Sequence, residues 1–149
     1  MIYRIAVLLC IPFLLAFTGQ VVGVMDGDTV AVMHHNKAER IRLFGIDCPE
    51  KGQAFGKPAK QATSTLVFGK DVAVRVYGTD KYGRTIGAVI LPDGTNVNKK
   101  LVRDGWCWWY RKYAPGDIDL ARAQAEAKKA KRGLWQDNGP VPPWEWRKR

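Results

Sequence analysis

Apolar residues first appear in this chain without any period. From Ile5 to Phe17 no polar side chain interrupts them, and Arg4 stands just before. A basic residue followed by an apolar stretch short of a bilayer's thickness reads as a targeting segment. Residues 1–18 are therefore assigned to a signal peptide. They are an N-terminal anchor if the segment stays uncut, since no clean A-x-A site follows. From residue 20 the pattern becomes strand-like. Val21, Val22 and Val24 lead to an Asp26-Gly27-Asp28 turn, and Thr29, Val30, Ala31, Val32 and Met33 continue in strand-favouring types. His34-His35-Asn36-Lys37 reads as a hairpin tip, after which Ile41 and Leu43 alternate around Arg42. Residues 71–77 put Val72, Val74 and Val76 on one face, and residues 86–91 form a further strand before Pro92-Asp93-Gly94.

Helical spacing appears three times. In residues 57–68, Ala59, Ala62, Leu66 and Val67 make a stripe, with Pro58 in the first turn and Gly69 past the end. Asn96 suits the cap of a short helix that runs through Val102 and stops at Gly105. Residues 118–132 carry Leu120, Ala123, Ala127 and Ala130 on one face. Asp117 and Asp119 stand at its start and Lys128, Lys129, Lys131 and Arg132 at its end, matching the helix dipole, and Gly133 follows. Residues 136–149 are rich in Pro and hold Trp144, Trp146 and a basic end. They read as an extended tail, lying on the body or loose in solvent. About five short strands with about three interspersed helices predict an α+β fold, a five-stranded OB-fold Greek-key barrel over residues 19–135.

The chain of 149 residues suits one domain with a real core, and its 46% hydrophobic content excludes disorder. Its formal charge of +10 favours a polyanionic partner, nucleic acid or an anionic membrane. Cys10 lies in the targeting segment. Cys48 and Cys107 form one disulfide or remain two thiols.

Three clusters carry candidate chemistry. Asp26-Gly27-Asp28-Thr29 can aim carboxylates at one hard cation, although an Asp-Gly turn is also common in plain hairpins. Arg42 through Glu50 (RLFGIDCPE) holds Arg42, Asp47 and Glu50 where a strand gives way to a loop. These are the residue types that phosphodiester hydrolysis needs. Thr79-Asp80-Lys81-Tyr82-Gly83-Arg84 is a charged turn in which Arg84 suits a phosphate and Tyr82 a base or sugar. The pair His34-His35 reads as solvated surface, and no Cys/His spacing suggests zinc.

The set DGDT, R-L-x-G-I-D-x-P-E, DKYGR and N-x-x-L-V-x-x-G resembles the thermonuclease family, the staphylococcal nuclease-like proteins, over residues 20–135. The resemblance implies a Ca2+-dependent nuclease that hydrolyses DNA and RNA to 3′-phosphate ends. Asp28, Asp47 and the backbone carbonyl of Cys48 match the calcium ligands, and Asp26 matches an acid supporting the site through water. Glu50 matches the general base. Arg42 and Arg84 match the arginines that clamp the scissile phosphate, and Lys81 and Tyr82 line the nucleotide site. Tyr113, or second Tyr110, matches a tyrosine near the base. Trp106, Trp108 and Trp109 read mainly as core. Arg147, Lys148 and Arg149 are left between a weak phosphate contact and a disordered end. The segment after Glu50 is shorter than in the best-known member.

The alternative reading is a nucleic-acid-binding OB-fold module without catalysis. It does not explain why Asp28, Asp47, Glu50, Arg42 and Arg84 occur together. A membrane-associated interaction protein held by residues 1–18 explains the apolar run and the charge but not that set. The expectations are an exported monomer, periplasmic or secreted, membrane-tethered if uncut, acting on nucleic acid with no stable protein partner.

Overall fold

A computed structural model describes residues 15–149. The first fourteen residues of the expected targeting segment lie outside the described residues. The described chain runs β1 (Ala16–Asp26), β2 (Thr29–His34), β3 (Lys37–Leu43), β4 (Ile46–Asp47), α1 (Gly56–Val67), β5 (Asp71–Thr79) and β6 (Thr85–Ile90). It continues with α2 (Val97–Arg103), β7 (Trp108–Trp109), α3 (Ile118–Lys129), a 3-10 turn (Gly133–Gln136) and α4 (Pro143–Trp146).

Five strands close a barrel in the order β1-β2-β3-β6-β5. Closure depends on β1. Its first half pairs with β5, from Ala16↔Arg75 to Gln20↔Asp71, and its second half with β2, from Val21↔Val32 to Asp26↔Thr29. Two register shifts in the β1–β2 ladder let one strand serve both neighbours. β3 and β6 pair in parallel at Ile41↔Thr85 to Leu43↔Gly87, while the other barrel ladders are antiparallel. Alternation sends Val21, Val30, Val32, Ile41, Leu43, Val72, Val74 and Val89 into a buried core. The α+β barrel with three longer helices agrees with the sequence reading. The added elements are the two-residue ladder β4–β7 and the short α4.

Capping fixes the helices near the site. Asn96 Oδ1 accepts from Lys99 N–H (3.1 Å) and Asp117 Oδ1 from Leu120 N–H (3.0 Å). The buried Asn98 of α2 accepts from Val89 N–H (3.2 Å) and donates to the Phe44 and Gly87 carbonyls (3.0 and 3.1 Å). It thereby ties α2 to both β6 and the exit of β3. Helix α3 ends earlier than the expected residue 132. Lys131 takes φ 52°, while Arg132 N–H bonds Ala127 O (3.0 Å) and Lys131 N–H bonds Lys128 O (3.1 Å). That is a Schellman closure with lysine where glycine is usual.

β1 begins at Ala16, so residues 16–18 of the expected targeting segment are laddered to β5. Cys48 and Cys107, left open by sequence, are joined in a disulfide with Cα atoms 4.2 Å apart. It lies beside the β4–β7 ladder, in which Asp47 faces Trp108. Replacing both with alanine (Cys48→Ala/Cys107→Ala) opens a loop of sequence separation 59. The expected loss is about 2–4 kcal/mol, read as a lower urea midpoint against wild type.

Candidate active site

The strand ends deliver carboxylates to one place. Asp28 leaves the β1–β2 turn 7% exposed, and Asp47 sits on β4 1% exposed. Gly27 allows the close approach. A Cβ there would stand 2.8 Å from Cys48 Cβ and 3.2 Å from Ala59 Cβ. The Thr63 hydroxyl of α1 donates to Gly27 O (2.6 Å), pinning the turn from the other side. Cys48 N–H then donates to Asp28 Oδ2 (2.7 Å), and Leu43 N–H to Asp28 O (2.8 Å).

Arg42 lies opposite Thr29 on β3. Its Nη1 donates to the Leu43 and Ile46 carbonyls (both 3.0 Å), which fixes the guanidinium. Nη2 stands 3.4 Å from Asp47 Oδ1 and 3.5 Å from Asp28 Oδ2. One cation thus serves two buried anions, each of which would otherwise be costly. Asp26 Oδ1 accepts from Asp28 N–H (3.2 Å). Burial first, then the Asp28 charge and carboxyl, push the Asp26 pKa up to about 7 against the opposing Asp28 N–H and Arg42. Burial likewise raises Asp47, opposed by Arg147 and Arg42.

Glu50 lies in the loop after Pro49, and its carboxylate meets Arg147 Nη1 at 2.6 Å. Arg147 also reaches Asp47, with Nη2 at 2.8 Å from Oδ2 and Nη1 at 3.2 Å from Oδ1. The hydrogen bond to Asp47, and then that to Glu50, raise the Arg147 pKa, so it is always charged. Asp28, Asp47, Arg42, Asp26 and Glu50 therefore lie together, with Arg147, which the sequence left between a phosphate contact and a disordered end, as an ordered sixth member. The Cys48 main chain adjoins them.

The other candidates stand apart. Arg84 is held by Asp80, whose Oδ2 accepts from its Nε at 2.6 Å. Asp80 Oδ1 also accepts from the backbones of Tyr82 and Arg84 (2.9 Å each) around Gly83 at φ 77°. Slight burial opposes the Asp80 charge, but these donors outweigh it and hold the carboxyl below its ordinary range. Tyr82, 72% exposed, packs against Lys81 Nζ (5.1 Å) and the Arg84 guanidinium (5.4 Å). Arg84, Tyr82, Lys37, Arg40 and His34 line an open groove of about 790 Å3. Among the described contacts none joins Arg84 to Arg42. Tyr110 and Tyr113 form an edge-on pair (4.8 Å). Tyr113 is 62% exposed, while Tyr110 stacks on Trp144 (5.1 Å, 9°). Trp108 is buried, and Trp106 and Trp109 are half-buried against the core.

Among the described residues no group of three or more His, Cys, Asp or Glu side chains could by itself hold a metal. A cation here would take Asp28, Asp47, a main-chain oxygen and water. That oxygen-only set suits a hard divalent ion. Crowded carboxylates with raised pKa values fit such a charge as well.

The family described as Staphylococcal nuclease homologue matches residues 40–137. This chain belongs to the staphylococcal nuclease family. It is 50% identical over 131 residues to a protein of Escherichia coli O157:H7 named "Uncharacterized endonuclease", covering 88% of this chain and 85% of the relative. It is 37% identical over 153 residues to the "Micrococcal nuclease" of Shigella flexneri, covering 97% and 88%. It is also 41% identical over 139 residues to "Protein ParB" of Escherichia coli, covering 87% and 78%.

Asp26 sets a pH dependence for this family member. Its folded pKa of about 7 exceeds the ordinary 3.8, so the folded chain keeps the proton longer as pH rises. Its stabilising contribution is complete below 3.8 and lost as pH rises through about 7. In chelator, Asp26→Asn should therefore gain on wild type in urea unfolding from about pH 4 to pH 7 and then level off. A saturating divalent cation should shrink that gain.

Proposed function

We propose that this protein is a calcium-dependent nuclease that hydrolyses phosphodiester bonds of DNA and RNA, leaving 3′-phosphate and 5′-hydroxyl ends. The observation that carries the reading is the convergence of Asp28 and Asp47 on Arg42 at one rim of an OB barrel, with Glu50 joined to Asp47 through Arg147. The family membership and the names of its relatives support nucleic-acid hydrolysis; the choice of calcium and of both nucleic acids is our extension.

Asp28, Asp47 and the Cys48 carbonyl would hold the ion. When bound, it would withdraw charge from a phosphate oxygen and lower the cost of bringing a polyanion to these acids. Glu50 takes a proton from the attacking water as the new O–P bond forms. The bond from phosphorus to the 5′ oxygen breaks, and that oxygen takes a proton from solvent. Arg42 meets the phosphate from the acidic rim and Arg84 from the basic groove, so charge building on the equatorial oxygens has two guanidinium donors. Tyr82 and Lys81 hold the neighbouring nucleotide, and the exposed Tyr113 is free to stack on a base.

The disulfide supports residence in an oxidising compartment, in keeping with export of the chain. Purified protein should degrade DNA and RNA with calcium and stop in chelator. Glu50→Gln and Arg84→Ala should each lower kcat roughly 10²–10³-fold. Unchanged digestion in chelator, or by either variant, would sink this mechanism.

A further inference from the structure

Residues 136–149 fold back over the site. Gln53, three residues past Glu50, fastens the loop to them. Its Oε1 accepts from Glu50 N–H (3.1 Å), and its Nε2 donates to Val141 O (2.6 Å). Pro143 opens α4 and is buried. Trp144 stacks on Tyr110 and meets Trp108 edge-on at 5.6 Å. An aromatic anchor of this kind fixes the backbone from which Arg147 extends.

Arg147 then joins two groups that the chain delivers separately. Its bonds to Glu50 (2.6 Å) and to both oxygens of Asp47 (2.8 and 3.2 Å) span sequence separations of 97 and 100. Asp47 has Arg42 as a second cation. Glu50 does not. Among the described contacts Arg147 is the sole partner of its side chain. A carboxylate that activates water must be held to within about half an ångström, and a loop position after proline does not achieve that unaided. A planar guanidinium with fixed donor directions does so while setting the spacing of two carboxylates.

Resting on the reading that Glu50 activates water, we propose that Arg147 is a positioning residue for this reaction. The C-terminal arm is thus part of the catalytic apparatus, and it orients Glu50 relative to the cation-binding Asp47. One N–H edge of the guanidinium remains for solvent or substrate, in keeping with its part exposure.

The test uses the full chain with Arg147→Ala, Arg147→Lys and Glu50→Gln. Arg147→Ala should lower kcat roughly 10- to 100-fold, as loss of an outer-shell partner typically does, with KM changed by less than about threefold. Arg147→Lys should recover only part of the loss, because an ammonium lacks the planar fork that meets both Asp47 oxygens while reaching Glu50. Added guanidinium ion should restore much of the Arg147→Ala rate. Without cation or substrate, the 13C-carboxyl resonance of Glu50, identified by its loss in Glu50→Gln, should broaden in Arg147→Ala. A rate at or above wild type in Arg147→Ala would mean that the arm merely covers the site, and overturns the proposal. A fall that tracks a lowered melting temperature and resists guanidinium would mean that the arm merely stabilises the fold, and does the same. If wild type cleaves nothing, or Glu50→Gln matches wild type, the nuclease reading itself fails and takes this inference with it.

Discussion

Two carboxylates lie almost wholly out of water and share one guanidinium. Removing an ion from water costs several kcal/mol even after relaxation, so Asp28 and Asp47 persist only where counter-charge and donors are fixed in advance. The barrel supplies both. The Asp28 main chain is held by β3 and its carboxylate by the Cys48 amide. Arg42 cannot swing away, because two carbonyls grip its other nitrogen. The disulfide and the β4–β7 ladder hold the Asp47 segment against the α2–α3 side of the molecule. Each piece is minor alone. Together they make a rigid acidic pit in a strongly basic protein.

That contrast in charge organises the rest. A polyanion is drawn to the molecule by its excess of lysine and arginine, yet the centre of the site is negative. Lys37, Arg40 and Arg84 line the neighbouring groove, and Lys81 stands beside it at Tyr82. Arg42 and Arg147 brace the pit itself. Attraction and chemistry are thus divided between adjacent surfaces, with Arg84 on the groove side of the boundary.

Much of this was legible in the sequence, because local signals and final geometry agreed. Asp26-Gly27-Asp28 marks a turn whatever its partners, and the apolar stripe of α3 needs no tertiary help to be seen. The boundaries failed where context overrode propensity. Lys131 adopts a left-handed conformation to close α3, and nothing about lysine announces that. The ladder of Ile46 and Asp47 with Trp108 and Trp109 is too short to leave a period. Arg147 was hidden for a different reason. A Pro-rich basic tail has the composition of a solvated end, and its partners lie 97 and 100 residues away. Tryptophans in such a tail were the available signal, since aromatic side chains of that size rarely remain in water unpaired.

Strand β1 has one more consequence. It enters the barrel at Ala16, on the β5 side, and delivers Asp26 to the site at its other end. Near that entrance the Phe17 ring stacks on His34, 3.8 Å between centroids, and His34 lines the groove that holds Arg84. One strand therefore borders the basic groove near its start and the acidic site at its end, so a single length of backbone holds the two surfaces at a fixed separation.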